Sequence, residues 1–196
     1  MSNSWDDYAA DWDHNESVRE YCEKAFATLV QHTSLQGKRV LDFGCGTGLL
    51  SARLAEQADT VVALDASEKM IQVLAAKQVA NLSCIASELS DSLIARTPAL
   101  QSGFDVIVAS SALAFVPDYP HTLALLKQLL RPGGFLIQWD WLKAEHDEGA
   151  GFSQARIEYA FEQLGFSDYS LSFPFAMGQG EEAMPVVMVV AHQCSE

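Results

Sequence analysis

The sequence predicts an α/β fold: a doubly wound, seven-stranded, mostly parallel sheet with an antiparallel C-terminal strand pair and helices on both faces. Three observations predict it. Five short apolar runs alternate with amphipathic helical segments, the order that builds right-handed crossovers and covers both sides of a sheet. A glycine-rich turn closes the first of those runs. Only the loop 174–185 separates the last two runs, too little chain for a helical crossover, so that pair must run antiparallel.

The elements follow in order. Asn15 is suited to cap a helix reaching about Ser34, with Val18, Cys22, Ala25, Phe26 and Leu29 on one face. Gly37 breaks it, and Lys38 to Phe43 reads as the first strand. After the turn Gly44-Cys45-Gly46-Thr47-Gly48, a helix carries Leu49, Leu50, Ala52 and Leu54. Thr60 to Asp65 is the second strand, Ser67 caps a helix burying Met70, Ile71, Val73 and Leu74, and Leu82 to Ala86 is the third strand. Residues 88–100 hold a short helix or an irregular segment, and Phe104 to Ala109 forms the fourth strand. Asp118 or Pro120 opens a helix that Arg131-Pro132-Gly133-Gly134 stops sharply; Phe135 to Trp139 is the fifth strand. A helix over Phe152 to Leu164 ends at Gly165, and strands at about Phe166–Phe173 and Val186–Ala191 complete the chain.

Composition narrows the function. With 196 residues, 49% hydrophobic and 19% charged, the chain is sized for one domain with a substantial core and no internal linker. Its 12 Lys+Arg against 26 Asp+Glu give a net charge of -14 and no basic cluster, so no nucleic-acid partner is expected. Cys22, Cys45, Cys84 and Cys194 show no metal-binding spacing, and the acidic start MSNSWDDYAADWD is unlike an export signal. No apolar run approaches the ~18 residues a bilayer span needs. The expected setting is cytoplasmic, away from membranes, with a small-molecule substrate and a monomeric or homodimeric state.

The glycine turn is the first functional signal. In a doubly wound sheet, ligands bind beyond the carboxyl ends of the strands, where strand order reverses. A dinucleotide fingerprint would need glycine at position 49, which is Leu49, and no Gly-Lys-Ser/Thr follows for a phosphate loop. What remains is Asp42-x-Gly44-x-Gly46-x-Gly48, then Asp65 at the end of the second strand. An acid there can accept both ribose hydroxyls of an adenosine, while glycines admit the rest of the ligand. The competing readings are local: Asp65 as a helix N-terminal charge, Asp42 as a carboxylate ordering its own turn.

These residues resemble the Rossmann-like (class I) S-adenosylmethionine-dependent methyltransferases, in the small-molecule branch that includes the ubiquinone/menaquinone methyltransferases. VLDFGCGTGLLS (40–51) is similar to the family's first motif and VVALDAS (61–67) to its ribose-binding strand. FDVIVASSALAFVPD (104–118) and LLRPGGFLIQWDW (129–141) are similar to its fourth- and fifth-strand motifs, and WDDYAADWD (5–13) to its aromatic–acidic lead-in. The resemblance implies one methyltransferase domain over 1–196, with an N-terminal lid and helix (1–36) and a Rossmann-like core (37–196). It implies S-adenosyl-L-methionine as cofactor and S-adenosyl-L-homocysteine as product. It implies that Gly44, Cys45 and Gly46 line the methionine portion, Asp42 orients its amino group, and Asp65 binds the ribose. Ala66 and Met70 would flank the adenine, although Met70 at helical spacing with Leu74 equally suits the core. Where the family has a Gly-Asp pair after the third strand, this chain has Ala86-Ser87-Glu88, leaving Ser87 or Glu88 to reach the adenine. Ser110 stands where the family lends a carbonyl to the cofactor amine.

The fourth-strand loop, Ala109-Ser110-Ser111-Ala112, lacks the Asn/Asp-Pro-Pro-Tyr pattern of amino-nitrogen methylases and the paired glutamates of arginine methylases. With Asp140 alone beyond the fifth strand, no metal site is expected. Methyl transfer needs a general base only when the acceptor is still protonated, and the candidates are His14 and Asp140. Each also reads as an ordinary surface or capping residue; His121, His32, His192 and His146 read as surface, element-end or loop residues. Trp5, Tyr8, Trp12, Trp139 and Trp141 are the expected walls for a flat or cationic acceptor. Two other functions stay open: an S-adenosylmethionine-binding protein without transferase activity, and a nicotinamide-dependent oxidoreductase, against which Leu49 counts.

Overall fold

The computed structural model describes residues 5–145, 149–166 and 168–194; His146 falls outside them. Seven strands form one sheet in the order β3-β2-β1-β4-β5-β7-β6. These are β1 (Arg39–Phe43), β2 (Thr60–Asp65), β3 (Leu82–Ala86), β4 (Phe104–Ser110), β5 (Leu130–Trp141), β6 (Asp168–Met177) and β7 (Met184–His192). The first five are parallel neighbours, and β7 pairs antiparallel with both β5 and β6. The expected sheet is therefore present.

Helices cover both faces: α1 (Glu16–His32), α2 (Leu49–Ala55) and α3 (Glu68–Ala76) on one, α4 (Asp91–Arg96), α5 (Pro98–Gln101), α6 (Tyr119–Leu129) and α7 (Gln154–Gln163) on the other. Strand alternation assigns the faces. Val40, Val106, Val108 and Ile137 pack with Ala25, Phe26 and Leu29 of α1 and Leu50 and Leu54 of α2. Their strand neighbours Leu41, Ile107 and Leu136 pack with Leu123 and Leu126 of α6 and Ile157 and Phe161 of α7. The caps are where the sequence puts them. The Asn15 side chain accepts from the Ser17 and Val18 amides, Ser67 from the Met70 amide, and Asp118 from the His121 amide.

Three details differ from expectation. Arg131 to Gly134 does not end a helix ahead of the strand but lies inside β5, where Leu130 already pairs with Phe104 across a register shift. Gly133 there has φ +77, and the 133–134 backbone exchanges hydrogen bonds with Gln193 at 2.7 and 2.8 Å, which holds the irregular stretch in the sheet. β6 and β7 are longer than their apolar runs, because sheet pairing continues past the point where both faces need burial. β3 sits at an edge and is only half-buried, so its apolar run does not mark a strand covered on both faces.

Candidate functional site

The chain winds outward from β1 to β3 and then returns to β4, so strand order reverses between β1 and β4. The glycine turn leaves β1 at that point. The Gly44 and Cys45 amides donate to the Leu64 carbonyl at 2.8 and 3.2 Å, folding the turn toward β2. Gly44 has φ +68, and a Cβ on it would stand 2.4 Å from Ala112 Cβ in the loop after β4. Gly48 has φ +79, and its Cβ would stand 2.1 Å from Leu74 Cδ1 of α3. Both positions require glycine for conformation and for close approach.

Two carboxylates bracket this turn. Asp42 is fully buried on the α1 face of β1, and Ser51 Oγ donates to its Oδ2 at 2.5 Å. Burial pushes its pKa up to about 7, with the Ser51 hydrogen bond pulling down and the Asp65 charge pushing further up. Asp65 ends β2; its Oδ2 accepts from the Gly46 amide and its Oδ1 from the Ser67 amide, both at 2.8 Å. Burial raises its pKa, against those two amides. A carboxylate so oriented keeps lone pairs for two further donors. The donor and acceptor set thus fits a nucleoside with vicinal hydroxyls and an amino group.

The remaining predicted contacts are placed less uniformly. Ala66 is exposed beside Asp65, whereas Met70 is buried. The Ser87 amide donates to the Asp65 carbonyl at 2.9 Å, its hydroxyl donates to the Glu88 carbonyl at 3.2 Å, and Glu88 is exposed. Ser110 is half-buried at the end of β4, and the next residue, Ser111, holds φ +51 with its amide donating to the Trp139 carbonyl at 2.7 Å. A non-glycine residue in that region is strained, and here the strain sits in the loop after β4, beside the Ala112 that packs on Gly44.

The N-terminal segment folds over the turn. Trp12 Nε1 lies 3.6 Å from where a Gly46 Cβ would stand. Trp5 packs edge-on against Trp12 at 5.8 Å and Phe115 at 5.0 Å, and Tyr8 lies 6.1 Å from Trp5. Two acids that the sequence reading did not single out tie it down. Asp6 accepts from Ser67 Oγ at 2.5 Å; Asp13 accepts from Thr47 Oγ1 and pairs with Lys77 at 2.7 Å. His14, one of the two predicted candidate bases, is exposed.

The end of β5 corrects one expectation. Trp139 does not line the crevice: it is fully buried in the core under α1, and its Nε1 donates to Thr28 Oγ1 at 3.0 Å. The pleat sends residues 137, 139 and 141 to that face. Trp141 is half-buried there, against Tyr21 at 5.3 Å. Gln138 and Asp140 point to the opposite face and are fully buried. Tyr119 OH donates to Gln138 Oε1 at 2.9 Å, and Gln138 Nε2 donates to Asp140 Oδ2 at 2.9 Å. Burial pushes the Asp140 pKa up to about 8, against Gln138, the Ala114 backbone and the Arg156 charge. Gln138, Tyr119 and Tyr21 were missed. The available signal was two polar residues two apart in an otherwise apolar strand, which must share a buried face.

Comparison with known proteins now decides the family. Residues 14–171 match the family described as a methyltransferase domain. The chain belongs to that family. It is 31% identical over 158 residues to trans-aconitate 2-methyltransferase of Deinococcus radiodurans, covering 79% of this chain and 54% of the relative. It is 34% identical over 134 residues to a ubiquinone biosynthesis O-methyltransferase of Paraburkholderia phymatum, covering 64% of this chain and 55% of the relative. The chain thus spans about half the length of these curated relatives. The solved DhpI-SAM-HEP complex has the same fold, with a TM-score of 0.71, 18% identity, and coverage of 97% of this chain and 99% of that one. Among the described residues no helix is long and apolar enough to cross a membrane, and no group of three His, Cys, Asp or Glu is placed to hold a metal ion.

Proposed function

We propose that this methyltransferase-family chain binds S-adenosylmethionine and moves its methyl group to a small cytoplasmic molecule by in-line displacement. The observation that carries the reading is the pairing of Asp42 and Asp65 around a turn whose glycines are fixed by close approach to Ala112 and Leu74. When bound, the cofactor supplies a methyl carbon already activated by a sulfonium leaving group.

The protein supplies position and exclusion of water. Asp65, held by the Gly46 and Ser67 amides, is oriented for the ribose hydroxyls, and Gly44, Cys45 and Gly46 line the methionine portion. Asp42 orients the amino group, and Ser110 offers its carbonyl across the crevice. Ala66 and Met70 flank the base, with Ser87 or Glu88 reaching its amino group. Trp5, Tyr8 and Trp12 form the lid, latched by Asp6 and Asp13. Alignment of this kind is worth effective molarities on the order of 10⁵–10⁸ M. The acidic surface supports a small molecule over a nucleic acid as substrate.

The test is calorimetry with S-adenosylmethionine, S-adenosylhomocysteine and a nicotinamide dinucleotide, followed by tritium-methyl transfer to a panel of small acceptors. Binding of the first two, exclusion of the third, and transfer to an acceptor are expected. Binding of the dinucleotide alone would replace this reading with the oxidoreductase one.

A further inference from the structure

Asp140 is fully buried, and its carboxyl group has one hydrogen bond of good geometry beside a looser approach of the Ala114 backbone. Its Oδ2 takes the Gln138 amide at 2.9 Å, while Oδ1 is buried with no hydrogen bond of good geometry. The arrangement leaves little choice of which oxygen is free. Tyr119 OH occupies Gln138 Oε1, fixing the amide so that its NH₂ faces Asp140. Tyr119 is itself held: its ring lies 4.4 Å from Phe152, and the Arg156 guanidinium lies over both rings at 5.6 and 4.7 Å. Leaving a buried acceptor unpaired costs about 1–3 kcal/mol, so a fixed orphan at the carboxyl end of β5 is a position where a ligand donor would be favoured.

The surroundings say what kind of donor. The Ala114 backbone faces Asp140 from the turn Leu113–Phe115, and the exposed Phe115 ring continues into the Trp5–Tyr8–Trp12 cluster. A flat apolar body resting on those rings would place a polar edge toward Oδ1. A carboxylate acceptor is already ionised at neutral pH and leaves a base nothing to remove. A neutral amine attacks with its own lone pair and loses its proton afterward. A hydroxyl oxygen is a poor nucleophile until its proton is taken, which is the service that a positioned carboxylate performs.

We infer, on the methyltransferase reading above, that Asp140 Oδ1 is the general base for an aromatic or enolic hydroxyl acceptor, with Gln138 and Tyr119 as positioning residues. As the acceptor oxygen bonds to the methyl carbon, its proton passes to Asp140. The methyl–sulfur bond breaks with its electron pair left on sulfur, and Asp140 later releases the proton to solvent. Groups that set its titration come from every element around it: Gln138 on β5, the Ala114 backbone, Tyr119 on α6, Arg156 on α7 and Tyr21 on α1. Burial dominates and holds the group protonated at neutral pH, so the rate rises with pH and levels off above about 8.

The experiment offers catechol, a monophenol, aconitate and benzylamine as methyl acceptors, with cofactor affinity measured separately by calorimetry. Transfer to a hydroxyl is expected, with a limb rising to a plateau above about pH 8. Asp140→Asn should lower kcat at least about 100-fold and abolish the limb, with the cofactor Kd changed less than about twofold. Tyr119→Phe should move the limb to higher pH, because Gln138 then loses the fixed orientation that lowers the Asp140 pKa. Without any turnover, the infrared carboxyl band lost between wild type and Asp140→Asn should titrate with the same midpoint. Transfer only to aconitate or benzylamine, no transfer to any hydroxyl while cofactor binds, or an unchanged limb in Asp140→Asn would each overturn the inference. Failure of wild type to bind cofactor would instead overturn the reading beneath it.

Discussion

The carboxylates at the ends of β1 and β2 and the one at the end of β5 are treated differently by the same sheet. Asp42 and Asp65 take their donors from nearby in the chain: Ser51 nine residues on, Ser67 two on, Gly46 nineteen back. Asp140 depends on a relay through Gln138 to Tyr119 and is left with an oxygen unpaired. On the reading proposed above, the cofactor half of the crevice is set by local spacing, whereas the acceptor half is set by how a strand and two helices meet. Under that reading the part that holds the cofactor is written into a local motif, and the part that selects the acceptor is not.

The comparison breaks most severely at the turn. Gly44→Ala combines a positive φ with a clash against Ala112 Cβ, and should destabilise the protein by about 2–4 kcal/mol in urea unfolding. Gly37→Ala shares the positive φ, +70, but meets nothing within 4 Å, so it should cost only about 1 kcal/mol. Equal losses at the two sites would mean that close approach to β4 does not shape the turn.

Asp65→Ala comes next. Removing a charged acceptor of ribose hydroxyls should weaken cofactor binding by about 1.5–3 kcal/mol in calorimetry, at least tenfold in Kd. Unchanged affinity would leave Asp65 as a support for Gly46 and Ser67 alone. The third test sets the halves side by side through pH. Burial raises Asp42 to about 7 and Asp140 to about 8, from an ordinary carboxylate value near 4 in the unfolded chain. The folded state then binds more protons than the unfolded state, so this contribution is complete below about pH 4 and is lost as pH rises through 7 and 8. Urea midpoints should fall between pH 5 and pH 8.5, and Asp140→Asn should flatten the upper part of that fall. A midpoint that rises over this range would mean that both acids are ionised in the fold.

The sequence carried the sheet well because its evidence is periodic: continuous apolar strands, helices with caps at Asn15, Ser67 and Asp118, and a final connection too short to cross over. It placed Asp42 and Asp65 beside the glycine turn because their spacing from the glycines is local. It misled at Trp139, since aromatic content near a strand end says nothing about which face each ring takes. Counting the pleat back from Ile137 would have put Trp139 and Trp141 on one face and Gln138 and Asp140 on the other. Asp6 and Asp13 were visible only as acidic composition; their latching roles depend on where Ser67, Thr47 and Lys77 end up in space.

A smaller effect than that of Asp65→Ala is expected at Trp139, and it separates the two faces of β5 at adjacent positions. Trp139→Phe removes the indole donor to Thr28 and part of a fully buried ring, which should cost about 1–2 kcal/mol of stability. Because the ring lies under α1, KM for the acceptor should stay within about twofold of wild type once assays are run well below the melting temperature. Asp140, one residue along and on the other face, should show the reverse: a large change in kcat with a modest change in stability. An altered KM in Trp139→Phe with stability intact would put the indole back in the acceptor pocket and would require β5 to present its other face to the crevice.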